Sequence, residues 1–160
     1  MNLILIAAVS ENNVIGNNNK IPWRIPEDMK RFRYLTIDHP VIMGRITYDS
    51  LSPKFKPLPN RKNIVLSRSI PQTNGIYVAR TIDEALELAE DKDTYVTGGS
   101  EVYKLFLPRA NKLEITRVHN DYDGDAYFPK VNFDEWDLVS KLRNTNESGI
   151  PYSFLSYVKK

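Results

Sequence analysis

Short, mostly unbroken apolar runs, separated by segments of helical character, constrain the fold of this chain more than any other feature. The runs LILIAAV (3–9), PVIMG (40–44), KNIVLS (62–67), GIYVA (75–79), TYVTG (94–98) and KLEITRV (112–118) read as strands covered on both faces. Helix-like stretches fall between them, at 26–36, about 46–51, TIDEALELAED (81–91) and SEVYKLFLPRA (100–110). In the third, Thr81 is placed to cap, Glu84 follows three residues on, and Ile82, Ala85, Leu86 and Ala89 line one side. Strand alternating with helix predicts an α/β sheet. The end of the chain breaks the rhythm: WDLVSKL (136–142) and YSFLSYV (152–158) flank a polar loop containing NESG and predict an antiparallel pair closing the sheet's edge.

No repeat, low-complexity tract or long linker interrupts this order, and 160 residues suit one domain, spanning 1–160. With 22 basic and 20 acidic residues the net charge is only +2, so no nucleic-acid or membrane-binding surface is expected and any anion site must be local. The absence of cysteine excludes a disulfide framework and cysteine-ligated zinc and fits a reducing compartment, so the cytoplasm is expected. LILIAAV has no basic segment before it and falls far short of the ~18 apolar residues of a membrane span, which reads as a buried strand in a mature chain beginning at Met1.

Within IPWRIPEDMKRFRYL (21–35), Pro26 suits the first helical position and places Glu27 and Asp28 in the first turn. One reading is structural, since acidic residues favour a helix N-terminus. Spacing supports another. Asp28, Phe32 and Leu35 fall at i, i+4 and i+7 with Met29 beside them, while Lys30, Arg31 and Arg33 project elsewhere, so the carboxylate shares the apolar stripe and Glu27 can serve the dipole. A buried carboxylate costs several kcal/mol without a partner, and a flat, basic, nitrogen-rich ligand offering two parallel N–H bonds would provide one.

The polar connection VIGNNNKIPWR (14–24) is longer than the usual ~2–6 residues of a βα loop and reads as a lid with Ile21 and Trp23 as its apolar teeth, although a lone Trp in a loop is more often a packing anchor than a ligand contact. Gly44 permits close approach of a ligand, and Arg45 follows it at a helix start. Arg68 and Arg80 also follow strands. Each alone reads as a solvated charge; if the strands are parallel, the three share one carboxyl edge and could clamp a phosphate. In YVTGGSEVYKLF (95–106), two glycines between strand and helix could admit a pyrophosphate or merely permit a tight turn; the stretch is neither G-x-G-x-x-G nor a P-loop. DYDGDAYFP (121–129) fails as a calcium loop, with glycine at its fourth position and Asn132 at the twelfth, and reads as a turn. His39 and His119 lack metal-ligand spacing, and no nucleophile motif occurs, so neither metal nor covalent hydrolysis is expected.

Taken together, AAVSENNVIG (7–16), IPWRIPEDMKRF (21–32), PVIMGRITYDSL (40–51), PLPNRKNIVLSRS (57–69), TGGSEVY (97–103) and ITRVHNDYDGDAYFP (115–129) resemble, in order and over nearly the whole chain, the bacterial dihydrofolate reductases. The resemblance implies a single-domain α/β fold with an eight-stranded, mixed but mostly parallel sheet, an antiparallel C-terminal strand and about four flanking helices. It implies NADPH-dependent reduction of 7,8-dihydrofolate to tetrahydrofolate, by hydride transfer from nicotinamide C4 to pterin C6 with protonation at N5. Diaminopyrimidine or pteridine antifolates would be inhibitors, and a monomer is expected.

Carried over residue by residue, Asp28 matches the carboxylate that holds the pterin 2-amino group and N3, and Thr116 the hydroxyl supporting both. Ile21 and Trp23 complete the catalytic set. Asp28 lies across the pterin from N5, so its role is electrostatic and positional, with water as the immediate proton donor. Ile6, Ala8, Ile21, Phe32, Leu51, Leu58 and Thr97 match the substrate pocket, with Arg61 and the weaker Lys56 for the glutamate tail. Ala8, Ile15, Gly16 and Asn19 match the lid-side cofactor contacts. Gly44, Arg45, Thr47, Gly98, Gly99, Ser100, Glu101, Val102 and Tyr103 match the pyrophosphate side. Arg45, Leu66, Ser67, Arg68 and Arg80 match the adenosine 2′-phosphate end, which favours NADPH over NADH.

Thr97, Tyr48 and the longer SPKFK (52–56) depart from the commonest bacterial pattern without removing a catalytic group. Two other readings remain open: a pyrimidine reductase of riboflavin synthesis, which shares the general fold and NADPH use, and a non-catalytic folate- or nucleotide-binding module.

Overall fold

The computed structural model describes all residues, 1–160. Each predicted run is a strand: β1 (Leu3–Ser10), β3 (Pro40–Gly44), β4 (Lys62–Leu66), β5 (Tyr77–Ala79), β6 (Thr94–Val96) and β7 (Lys112–Val118), with β9 (Trp136–Thr145) and β10 (Pro151–Lys159) at the end. They form one eight-stranded sheet in the order β5-β4-β3-β6-β1-β7-β10-β9. Every pairing from β5 to β7 is parallel; β10 joins β7, and β9 joins β10, antiparallel.

Side-chain alternation on β1 divides the core. Leu3, Leu5, Ala7 and Val9 enter a cluster with Val102, Tyr103, Phe106, Leu113 and Ile115, whereas Ile4 and Ile6 point the other way, among Val41, Met43, Leu58 and Val65. Helix α1 (Pro26–Thr36) covers that second face with Phe32 and Leu35. Helix α2 (Arg45–Ser50) follows β3 directly, and α3 (Ile82–Leu88) and α4 (Ser100–Phe106) belong to the first face.

Several boundaries differ from expectation. Thr81 does accept a bond from the Glu84 amide (3.1 Å), but α3 ends at Leu88 because Glu90 and Asp91 take left-handed backbone (φ 56° and 58°). Helix α4 gives way at Leu107–Arg109 to a 3-10 turn, where Pro108 has no amide to donate. The segment 14–24 is not loop throughout: β2 (Val14–Gly16) pairs antiparallel with β8 (Ala126–Tyr127), so part of the presumed turn at 121–129 is a strand. Both are too short for periodicity to reveal. The outer strand β9 is exposed apart from Trp136, and its Lys141 and Arg143 suit an unpaired edge.

Candidate active site

Asp28 sits where α1 crosses β7. Its Oδ1 accepts a hydrogen bond of 2.5 Å from Thr116 Oγ1. The β1–β7 register sets Ala8 beside Thr116 and Ile6 beside Glu114, so even-numbered residues of both strands form the wall under the helix. Phe32 and Leu51 pack against the cluster that holds Ile6 and Leu58, and Ala8 packs against that of Trp23, Ile25, Val118 and Tyr152. The carboxylate is therefore a polar point in an apolar wall. Burial pushes its pKa above the usual carboxylate value, against the weaker downward pull of the Thr116 bond and the Arg31 charge. The buried Tyr103 hydroxyl donates to the Ile6 carbonyl (2.6 Å), and burial, then the Asp28 charge, drives its pKa upward.

Two details of α1 depart from the sequence reading. Met29 is 56% exposed and leaves the stripe. Arg31 turns inward rather than outward, donating to Glu114 Oε2 (2.7 Å) with its guanidinium 4.6 Å from the centre of the Phe154 ring. Glu27 belongs to the first turn as expected, but its Oε2 is buried without a hydrogen-bond partner.

The lid's two teeth part company. Trp23 is buried and tilted against Tyr122 at 5.0 Å, as an anchor, while Ile21 is 61% exposed. The lid is tied down from 121–129: the Asn18 amide donates to the Asp125 carboxylate at 3.2 and 3.3 Å, and the Asn13 side chain to the Phe128 carbonyl at 2.8 Å. Ile15 packs on the core, Gly16 is buried in β2, and Asn19 is exposed with φ 61°. Asp125 and Gly124 escaped the sequence reading because DGD looked like an ordinary turn.

At the sheet's carboxyl edge, β3 and β6 are knitted by Gly44 N–H to Gly98 O and Thr97 N–H to Ile42 O, both 2.9 Å. A Cβ on Gly44 would stand 3.1 Å from Val102 Cγ2, so the close approach of β3 to α4 depends on that glycine, whereas one on Gly99 would stand 3.4 Å from Thr47 Oγ1, at the limit of ordinary contact. Gly98 has φ 113°, which side chains rarely adopt. No side chain caps the start of α4; Ser100 Oγ accepts from the Tyr127 amide (3.0 Å), Glu101 is exposed, and Val102 and Tyr103 are buried.

The arginines do share the edge, since β3, β4 and β5 are parallel neighbours, but they are not one cluster. Leu66, Ser67, Arg68 and Arg80 line a surface cavity of about 520 Å³, together with Leu105 and Arg109, which sequence reasoning missed. Arg80 Nη1 donates to the Ser67 carbonyl (2.9 Å). Arg45 does not line this cavity and pairs with Asp49 (3.0 Å). Lys56 lies 3.8 Å from Asp49 and 5.2 Å from the Tyr48 ring centre. Arg61 is half-buried; its Nε donates to the Pro59 carbonyl (2.8 Å) and its Nη1 to Thr36 Oγ1 (3.2 Å), leaving Nη2 without a protein partner.

A glycine groove with cationic flanks at the carboxyl edge, next to a carboxylate in an apolar wall, defines an α/β protein that holds a phosphorylated nucleotide beside a flat basic ligand. Comparison with known proteins narrows the class. The family model described as Dihydrofolate reductase matches residues 2–159. The chain is 44% identical to a dihydrofolate reductase of Buchnera aphidicola subsp. Acyrthosiphon pisum over 156 residues, 96% of each chain. It is 36% identical to that of Bacillus subtilis, covering 97% of this chain and 93% of the relative. A solved dihydrofolate reductase from Enterococcus faecalis, complexed with NADP(H) and RAB-propyl, superposes with a TM-score of 0.89 at 31% identity, covering 99% of this chain and 96% of that one. The chain belongs to the dihydrofolate reductase family.

Proposed function

We propose that the protein catalyses NADPH-dependent reduction of 7,8-dihydrofolate to 5,6,7,8-tetrahydrofolate. The observation that carries this reading is the Asp28 carboxylate, bonded to Thr116 within an apolar wall on a sheet whose carboxyl edge also carries the arginine-lined cavity.

The residues present fit the cofactor. Gly44 and Gly99 leave the backbone at the start of α4 uncovered by their own side chains, as close approach of a pyrophosphate requires, and Ser67, Arg68 and Arg80 offer donors to a 2′-phosphate. Gly98, Ser100, Glu101, Val102, Tyr103, Thr47, Arg45 and Leu66 complete that side, with Ala8, Ile15, Gly16 and Asn19 toward the nicotinamide. When bound, NADPH supplies the hydride.

The chain's own task is to place and ground the pterin. Asp28 accepts two N–H bonds from the 2-amino group and N3, while Thr116 holds the carboxylate at one oxygen and so fixes its plane. Ile6, Ala8, Phe32, Leu51 and Leu58 exclude water around the ring, with Thr97 at the polar end and Ile21 closing over it from the lid. Trp23, packed on Tyr122, anchors that lid. Asp28 stabilises positive charge growing on the pterin, and water delivers the proton to N5. Arg61, its Nε and Nη1 already held, turns its remaining amino group to the α-carboxylate of the glutamate tail; Lys56 adds a solvent-screened contact. Diaminopyrimidine antifolates would present Asp28 with the same paired donors. No helix of the protein is long and apolar enough to cross a membrane. A single domain acting as a monomer in the cytoplasm is part of the proposal, open to sedimentation and fractionation.

The test is loss of NADPH absorbance on adding dihydrofolate to the purified chain, with a ribosylaminopyrimidine as the competing substrate. Turnover of dihydrofolate alone supports the reading. Turnover of the ribosylaminopyrimidine alone would replace it with the riboflavin-pathway activity, and folded protein inert to both would leave only a binding module.

A further inference from the structure

The Asp28–Thr116 bond is not the only link between α1 and β7. Three residues further along the helix, Arg31 donates to Glu114, two residues back along the strand, so two polar rungs bridge the same pair of elements. The spacing is physical: about 4.5 Å of helix rise is matched to about 6.6 Å of strand, with the two elements running in opposite directions. Strand β10 backs both rungs in register, Phe154 opposite Thr116 and Ser156 opposite Glu114. Phe154 lies beneath the Arg31 guanidinium, and Ser156 Oγ donates to the same Glu114 oxygen that Arg31 holds, at 2.6 Å. Glu114 is thus oriented from two sides and Arg31 from two more.

Burial separates this ion pair from the others. Arg31 and Glu114 are 24% and 18% exposed, whereas every other ion pair in the protein has at least one partner 35% exposed or more. Surface pairs contribute little to stability, but a shielded and doubly braced one can hold geometry. Arg31 also stands at i+4 from Glu27, whose buried Oε2 remains unpartnered; the guanidinium reaches across to β7 instead of taking this local partner.

We propose that the Arg31–Glu114 pair, braced by Phe154 and Ser156, is a positioning element that keeps the Asp28–Thr116 rung closed and sets how strongly Asp28 grips the pteridine. The inference rests on the dihydrofolate reading of Asp28. Its electrostatic half follows from charge: Arg31 is the cation that opposes the effect of burial on Asp28. The other titratable groups facing the rungs are Glu27 on α1, Glu114 on β7, Tyr95 on β6, Tyr103 on α4 and Tyr152 on β10. Burial raises the pKa of all three tyrosines, so they stay neutral through the working range. Glu27 and Glu114 are the remaining carboxylates, and aspartate-specific labelling leaves both silent.

The test uses the full chain labelled with carboxyl-13C aspartate, Asp28 being assigned by loss of its signal in Asp28→Asn. In Arg31→Gln, the Asp28 titration midpoint moves upward from wild type, and Arg31→Lys, which restores the charge, recovers most of the shift. Arg31→Gln and Glu114→Gln each raise the dihydrofolate KM about three- to tenfold while leaving the NADPH KM unchanged. An Asp28 midpoint unmoved by Arg31→Gln overturns the proposal, as does a dihydrofolate KM that stays at wild type or rises only in step with that for NADPH. If Arg31→Gln fails to fold, Glu114→Gln decides by the same KM split. Wild type that consumes no dihydrofolate would defeat the functional reading, a result distinct from these, and the Asp28 titration would still decide whether Arg31 acts on the carboxylate.

Discussion

Replacing Asp28 with asparagine should separate function from stability and move them in opposite directions. The amide keeps the shape of the side chain and can still accept the Thr116 hydroxyl, so the local packing survives. It cannot accept two N–H bonds from a pteridine edge, because one of its two polar atoms is itself a donor. A hydrogen bond to a charged group contributes about 1.5–3 kcal/mol and a neutral one about 1, so losing one and neutralising the other costs about 2–5 kcal/mol. At ~1.4 kcal/mol per decade, kcat/KM for dihydrofolate should fall by about 30-fold to about 3,000-fold. Stability runs the other way. Burial raises the folded-state pKa of Asp28 above its unfolded value, outweighing Thr116 and Arg31. As pH climbs from the unfolded value through the raised folded value, the unfolded chain gives up its proton first, and the folded state loses stability over that window. Above it the penalty is complete. A desolvation cost of several kcal/mol, largely offset by one charged hydrogen bond and a nearby cation, leaves a net cost of about 1 kcal/mol. Asp28→Asn should therefore melt about 2–4 °C above wild type at neutral pH and show no such advantage in acid. Paired thermal melts across pH, with initial rates on the same preparations, check both halves. A melting difference that is flat with pH or shrinks toward neutrality would refute the electrostatic reasoning; retention of kcat/KM within tenfold would refute the assigned role.

Arg80→Gln should raise the KM for NADPH by roughly ten- to a hundredfold while barely changing that for NADH, the loss of one charge-assisted phosphate contact; equal losses for both dinucleotides, read by initial rates, would remove Arg80 from the 2′-phosphate site. Gly124→Ala would place a Cβ 2.3 Å from Val14 Cγ1 and 2.6 Å from the Gly16 carbonyl. The pairing of β2 with β8 must then open, at about 1–3 kcal/mol, with proteolysis in segment 14–24 accelerated; an unchanged denaturation midpoint and cleavage pattern would contradict that close approach. Phe106, with no exposed surface, anchors α4 in the larger core cluster. Phe106→Ala should cost about 3–5 kcal/mol in urea unfolding, and a loss below 1 kcal/mol would mean the site collapses around the gap.

The six parallel strands of the main sheet were legible because each contains a short apolar run whose burial can be read locally, β9 and β10 because they flank a polar loop, and α1 because Pro26 marks its start. The ends of α3 and α4 were less so, since the apolar pattern runs on past the backbone turns that stop them. Asp28 could be singled out by its place on the helical stripe, and the motif order carried the rest of the site. Local spacing misled at Met29, which is exposed, and at Arg31, which is not directed to solvent. A helical wheel knows only which residues share a face; it has no information about what stands opposite.

By itself, then, the sequence determined the α/β alternation, the antiparallel finish, the glycine pair before α4 and the chemistry available at each strand end, all consequences of side-chain type and short-range period. Only the tertiary structure decided that Thr116 is the partner of Asp28 by direct contact, that Arg31 spends its charge on Glu114, and that Asp125 ties down the lid at Asn18. These pairings join residues 83 to 107 positions apart. They depend on strand register and on the angle at which a helix crosses the sheet, quantities set by packing of the whole core and not written in any local stretch of chain.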